Sequence, residues 1–324
     1  MIEGPRPSVA TAPRRAAPSP AGGGRPAGRS SLRRRTRRDA LVGWALVAPA
    51  ALFYGVFVLR PLGITAQYSF YEWDGAGPST PVGIDNYVRV LTDPDLSASL
   101  GHAFTLILFF SGIPVLLGLV TAATIRRIAA TRLATVARTV VFLPQVIPLV
   151  AAGITWSWLL SSTGAVNQLL RAVGLGAVAR AWLGDFDAAL PAVGVIGAWV
   201  LLGLCTLLLL SGMTKIDPAL YEAARIDGAG PVREFWSVTV PGVRQEIGIC
   251  VTVTVIAALA SFDIVYISTQ GGPGGATTVP GLQIYYLAFA QREIGLASAL
   301  AVVLVVLVLL CVLPVQYLVR RGER

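Results

Sequence analysis

The chain has 324 residues, of which 55% are hydrophobic and only 13% charged, and it carries a net charge of +9. So small a charged fraction excludes an ordinary soluble domain of this length and points to a polytopic membrane protein. Three cysteines, Cys205, Cys250 and Cys311, all fall within apolar runs, which suits packing residues better than a disulfide framework or a metal site.

Residues 1–38 are rich in Pro, Ala, Gly, Ser and Arg, with Glu3 as the one acid. They offer too little apolar surface to offset their ordering entropy, so disorder is expected. The runs Arg33–Arg35 and Arg37–Arg38 admit a nucleic-acid patch, a twin-arginine signal or a transit peptide. The apolar run that follows is longer than a signal core, and five more come after it. A cytoplasmic anchor with no nucleic-acid partner is therefore the better reading, and residues 39–324 form the membrane domain.

Six apolar blocks follow, at Leu41–Leu59, Phe104–Ile125, Thr139–Leu160, Leu190–Met213, Ile247–Thr269 and Ile294–Val319. Each is close to the ~20 residues that cross ~30 Å of hydrocarbon. In lipid only helices satisfy every backbone group without closing a barrel. The fold class is thus an all-α membrane protein with six transmembrane helices, kinked at Pro49, Pro114, Pro148 and Pro314. Most Lys and Arg residues lie in the N-terminal tail, the 126–138 and 214–244 loops and the C-terminal tail. Positive charge stays inside, so both termini and the 214–244 loop between spans four and five are expected in the cytoplasm. The net charge then records topology and contact with anionic lipid, not an acidic partner. Glu72, Asp74, Asp85, Asp93, Asp95, Asp185 and Asp187 fall in the outer loops, as a solvated face or as a docking rim for an external protein.

The stretch from Tyr221 to Pro241 is polar, lies between two apolar blocks, and is punctuated as a helix-turn-helix. Asp217 can cap a helix opening at Pro218, and Gly228 suits the left-handed residue that ends it. Pro231 can open a second short helix that Pro241-Gly242 closes. Helices this short are not stable alone in water, so they must lean on the spans and on another protein.

The spacing of Glu222-Ala223-Ala224, Gly228 and Val238-Thr239-Val240-Pro241 resembles the cytoplasmic coupling loop of bacterial ABC importer permeases, with Val238 and Val240 where that family usually has Ile and Leu. Other stretches extend the likeness to the carbohydrate-uptake branch, and within it to the maltose-permease-like partner. They are Gly83-Ile-Asp-Asn-Tyr87, Leu143-Pro144 with Pro148, Trp156-Ser-Trp158, Gly164 and Asn167, Trp182-Leu183 and Trp199. Gln270-Gly-Gly-Pro273 with Thr277-Thr278, then Tyr285, Phe289 and Gly295, complete it. The resemblance covers about residues 40–320 and implies a second permease, two ATP-binding subunits and an extracytoplasmic solute-binding protein as partners, alongside membrane lipid. It implies that Glu222 offers a carboxylate to a groove on the ATPase while Ala223 and Ala224 allow close approach. Asp227 and Gly228 would shape the turn, Phe235 and Trp236 would brace the second helix, and Pro241 would close the motif. A juxtamembrane amphipathic helix touching only lipid headgroups is the bland alternative.

No catalytic site is legible. His102, the one histidine, sits at a span boundary without a nucleophile or acid beside it, the pattern of a helix-end or loop residue rather than a general base. No Gly-x-x-x-x-Gly-Lys-Ser/Thr occurs, and the glycines from Gly271 to Gly275 have no lysine after them. ATP and its magnesium therefore belong in a partner subunit, and this chain is expected to bind no cofactor or metal.

The transport path is read from polar residues that lipid rejects. Asp263 in the fifth block would cost on the order of 2.5–3.5 kcal/mol facing hydrocarbon at mid-span, so it should face the bundle interior or a water-filled cavity, or pair with a neighbouring helix. Tyr266 and Gln270 follow at three and seven residues, on the same helical face. Trp199 and Trp156 are candidates to stack on a sugar ring or to mark the interface. The function implied is import of sugars or oligosaccharides driven by ATP bound elsewhere. The alternatives are the same machine carrying glycerol phosphoesters, amino acids or peptides, or a secondary transporter, for which one intramembrane acid is thin support.

Overall fold

The computed structural model describes residues 43–321; the arginine-rich tail lies outside them. The chain divides into units 1–60 and 61–324. An apolar helix α1, Gly43–Tyr68, runs across that division. Next come a two-residue antiparallel pair, β1 (Tyr71–Glu72) and β2 (Thr80–Pro81), and helices α2 (Asp85–Thr92) and α3 (Pro94–Arg127). The third block yields α4 (Arg132–Val146) and α5 (Leu149–Leu159), and α6 (Ala165–Ala172) follows in the loop. Then come α7 (Ala189–Met213), α8 (Pro218–Ile226), α9 (Pro231–Gly242), α10 (Arg244–Leu259) and α11 (Asp263–Ser268). The last two are α12 (Pro280–Tyr285) and α13 (Ile294–Arg321).

Four of these helices, α1, α3, α7 and α13, are long and apolar enough to span a membrane; the number rises to six if the bent pairs α4–α5 and α9–α10 each count as one. The expectation of six helices kinked at prolines is refined on three points. The third block is not one helix: α4 and α5 meet at 100°. Pro148 cannot continue the ladder and forces Ile147 into an extended conformation (ψ 128°). The fifth block also breaks, because α10 ends at Leu259 and α11 opens only at Asp263. At 1.5 Å per residue, α10 alone reaches roughly 24 Å, short of the ~30 Å core. Finally, the segment between α1 and α2 contains a short strand pair, so the fold is helical but not purely so. Pro49, Pro114 and Pro314 sit in helices that run on through them. Before Pro114 a π-type turn over Leu108–Gly112 lets the ladder reorganise around the missing N–H.

In unit 61–324 the core forms where α3, α7 and α10 meet. Its outer part joins Leu106 and Phe110 of α3 to Val193 and Ile196 of α7, Ala258 of α10 and Val265 of α11. Its inner part joins Leu119 and Ile125 of α3 to Cys205, Leu209 and Met213 of α7 and Cys250 of α10. Cys205 and Cys250 are therefore packing residues, free and buried. Apolar burial drives little association in lipid, so close packing and interhelical hydrogen bonds hold such a bundle. The buried Thr254 hydroxyl donates to Ser111 Oγ at 2.8 Å, joining α10 to α3. Bonds of this kind contribute on the order of 0.6 kcal/mol each.

Candidate functional site

The polar segment between α7 and α10 folds into two short helices and a turn, hereafter the elbow. Asp217 accepts from the Ala219 N–H at 2.9 Å, and Pro218 stands in the first turn of α8, where its missing N–H costs nothing. At the other end Asp227 is the C-cap, and Gly228 takes φ +76°, a conformation open to glycine at little cost. The Ala229 N–H then reaches Ala224 O at 2.9 Å and the Gly228 N–H reaches Arg225 O at 3.0 Å, the paired bonds of a Schellman ending. Pro231 opens α9 as its sequence implied.

The outer edge of the elbow is both apolar and acidic. Glu222, Ala223, Asp227 and Pro241 are exposed and Ala224 is half-buried. Beside them Ile226 is 86% exposed, Val232 72% and Leu220 56%. An apolar edge of this kind on a polar element marks a surface for another protein. Of the two aromatics expected to brace α9, Phe235 packs on the inner core, but Trp236 is 63% exposed. Among the aromatics of the described residues, Trp236 instead meets only the Phe235 ring, edge to face at 5.5 Å.

The inner face of the elbow is tied down by charge. Glu234, its side chain 6% exposed, accepts from Arg225 Nε at 2.9 Å and lies 3.9 Å from Arg126 Nη2. The hydrogen bond from Arg225 holds its carboxyl below the usual range against the opposing effect of burial, and the charges of Arg225, Arg127 and Arg126 add to it. Arg126 also stacks 3.7 Å above the ring of Tyr221, whose hydroxyl is 3.2 Å from Thr239 Oγ1. Arg127 donates to Pro231 O at 3.2 Å. At the base, Lys215 Nζ meets the nearly buried Glu246 Oε1 at 3.0 Å. Arg244 donates to Leu318 O at 3.0 Å, capping the carbonyl end of α13. Sequence reasoning missed Glu234, Arg126 and Arg127. Glu234 falls nine residues after Arg225 and the arginines a hundred residues earlier, so no local spacing links them.

The second feature is the gap between α10 and α11. A cavity of about 200 Å³ opens there, lined by Phe110, Gly197, Val200, Leu201, Phe262 and Asp263 among others. The Ser261 hydroxyl also lines it, buried and without a partner among the described residues. Asp263 is exposed at the first turn of α11. Tyr266 is half-buried and stacks on Phe262 at 5.2 Å. Gln270 does not share their face: it lies beyond α11 with φ +52°, and its carbonyl accepts from Tyr286 Oη. The expected trio is thus a pair. Trp156 and Trp199 come together edge to face at 5.5 Å, away from the cavity lining.

Several sequence marks prove to be tie points of the loops between helices. Buried Asn86 donates to the carbonyls of Ser69 and Tyr71, both at 3.0 Å, and Tyr87 Oη meets Ser69 Oγ at 2.6 Å. Asn167 donates to Ser161 O and Arg180 O and accepts from Trp182 Nε1. Thr277 and Thr278 hydroxyls close the 271–278 loop on the carbonyls of Gly272 and Gly271. His102 is not a helix-end residue; it lies inside α3 with Nδ1 2.8 Å from Thr278 O, which pins that loop.

Residues 114–324 match the family model described as the binding-protein-dependent transport system inner membrane component. The chain is 32% identical to the probable ABC transporter permease protein YurN of Bacillus subtilis, over 84% of this chain and 94% of that one. It is 32% identical to the diacetylchitobiose uptake system permease protein NgcF of Streptomyces coelicolor, over 92% and 86%, and 33% identical to the trehalose/maltose transport system permease protein MalF of Thermococcus litoralis, over 84% and 91%. Among solved structures, a bacterial ABC transporter involved in alginate import aligns with TM-score 0.74 over 90% of this chain at 24% identity. That likeness shows the fold.

Proposed function

The chain belongs to the inner-membrane components of binding-protein-dependent transport systems, and from that premise we propose that it is a permease subunit of an ATP-driven importer of sugars or oligosaccharides. The family match carries the machine class. The sugar assignment is supported by relatives named for diacetylchitobiose and for trehalose and maltose. In this reading a second permease completes the path, two ATP-binding subunits drive it, and an extracytoplasmic binding protein delivers the solute. Both termini and the elbow face the cytoplasm, where the basic loops lie. Glu222, Ala223 and Ala224 seat in a groove of an ATP-binding subunit, while Asp227, Gly228 and Pro241 fix the shape of the elbow.

The solute path passes the gap between α10 and α11. Non-helical backbone at membrane depth is tolerated where it lines a cavity, and broken helices are where transporters place their binding sites. Asp263 and Ser261 offer polar groups there, with Tyr266 close by, which suits a polyhydroxylated solute. Gln270, Trp156 and Trp199 are outer elements of that path. The chain makes and breaks no bond; its elbow biases an equilibrium between inward- and outward-open arrangements. Reconstitution into liposomes tests this. Uptake of labelled oligosaccharide should need the binding protein, the second permease and ATP with its subunits. Uptake by this chain alone would refute it.

A further inference from the structure

The elbow is continuous in sequence with α7 and α10, yet its inner face is also tied by side chains to the end of α3. Arg126 and Arg127, the last two residues of that helix, touch both elbow helices: Tyr221 of α8, and Glu234 and Pro231 of α9. The buried carboxylate of Glu234 accepts from Arg225 Nε at 2.9 Å and lies 3.9 Å from Arg126 Nη2, and the charge of Arg127 also acts on it. A buried charge held in this way tolerates little displacement relative to its partners, because separating them strands it. By contrast, the short linker after α7 places its one ion pair on α10, through Lys215 and Glu246, and not on α8 or α9. α10 itself meets α9 at a 71° bend.

From Arg126, α3 runs back past Pro114 into the π-type turn at Leu108–Gly112, which holds Phe110, a wall of the cavity beside Asp263. Sixteen residues of helix make a lever of roughly 24 Å. Beyond it the same helix reaches His102, which holds the loop at Thr278. One continuous helical stretch thus touches the elbow, the cavity and the 271–278 loop.

We propose that displacement of the elbow is passed to the solute cavity through Glu234 into the Arg126–Arg127 end of α3, making Glu234 a positioning residue for coupling. This rests on the elbow being the element that the ATP-binding subunits move. The route is contiguous through charge contacts and one helix, which is the physical form such coupling takes.

Hydrogen exchange on the assembled complex in nanodiscs separates the two ideas. In the native complex, magnesium ATP with vanadate should alter exchange both in the elbow, residues 218–242, and in the last two turns of α3, residues 120–127. In Glu234→Gln, which keeps the side-chain shape, the elbow should still respond, while the α3 response falls at least about fivefold. Exchange without nucleotide should rise in the elbow, where the Arg225 bond to Glu234 is weakened, so the response is read as the change on adding nucleotide within each variant. Rescue by the conservative variant separates coupling from a merely structural role. Glu234→Asp should restore the α3 response. An undiminished α3 response in Glu234→Gln overturns the proposal and leaves the elbow reading standing. No nucleotide response in the native elbow overturns that reading instead.

Discussion

Asn167 shows how a residue that marks the family in sequence serves the structure. It is fully buried and satisfies two carbonyls and one indole N–H, so it is the buried tie of the loop from Ser161 to Trp182, beside the Trp182 N–H bond to Leu160 O and the Arg171 bond to Ser162 O. Replacing it with Leu keeps the volume but orphans three polar groups, at about 1–3 kcal/mol for each that water cannot reach. Asn167→Leu should still insert, yet faster proteolysis between residues 161 and 182 and a lower melting temperature are expected; unchanged proteolysis would show that the loop is held by other means. Asn86 behaves alike for the segment between α1 and α2. The sequence names these asparagines through resemblance, but their chemistry was not legible from it. Their partners are main-chain carbonyls, and the sequence does not say which carbonyls are left over.

At the scale of the element, the elbow was the most legible part of the chain. Its ends are written in residues with local reasons, a capping Asp217, prolines in first turns and Gly228 at positive φ. The break in the fifth span was not legible. Ala260-Ser261-Phe262 contains no Pro or Gly to announce it, and a distant segment packs on the interruption: a side chain at Gly281 would come 2.8 Å from Ser261 O, so glycine lets α12 approach there. Two predictions belong to the elbow. Glu222 is exposed and makes no hydrogen bond or ion pair among the described residues that its loss would break, so Glu222→Lys should insert and assemble normally while substrate-stimulated ATP hydrolysis collapses. Normal stimulation would count against the coupling role. Acidity should act through Glu234. Its folded pKa is depressed, so its stabilising effect is fully present above the ordinary carboxylate value of roughly 4.3 and is lost as pH falls through the lower folded value. Proteolysis of the 218–242 segment should stay flat from neutral pH down to about 5 and rise only below the ordinary carboxylate range, and Glu234→Gln should remove that rise.

For the whole molecule, the question is whether the gap between α10 and α11 faces solute or lipid. Composition fixed the membrane class and hydropathy placed the apolar blocks, but a sliding window averages across a three-residue gap and cannot see it. The cost of Asp263 supplies the discriminating experiment. A carboxylate turned to hydrocarbon costs on the order of 2.5–3.5 kcal/mol, much of which an amide would spare. If Asp263 faced lipid, Asp263→Asn should raise the yield of folded protein and leave transport alone. If it lines a wet cavity, insertion and yield should hardly change, because the charge is already hydrated. Transport in the assembled importer should instead weaken by about tenfold at low solute concentration, the loss expected when a charged hydrogen-bond acceptor worth about 1.5–3 kcal/mol becomes neutral. Parallel measurement of membrane yield and oligosaccharide uptake separates the two cases, because the substitution moves only one quantity in each. A variant with higher yield and native uptake would place the path elsewhere in the bundle, with the Trp156–Trp199 pair the next segment to test.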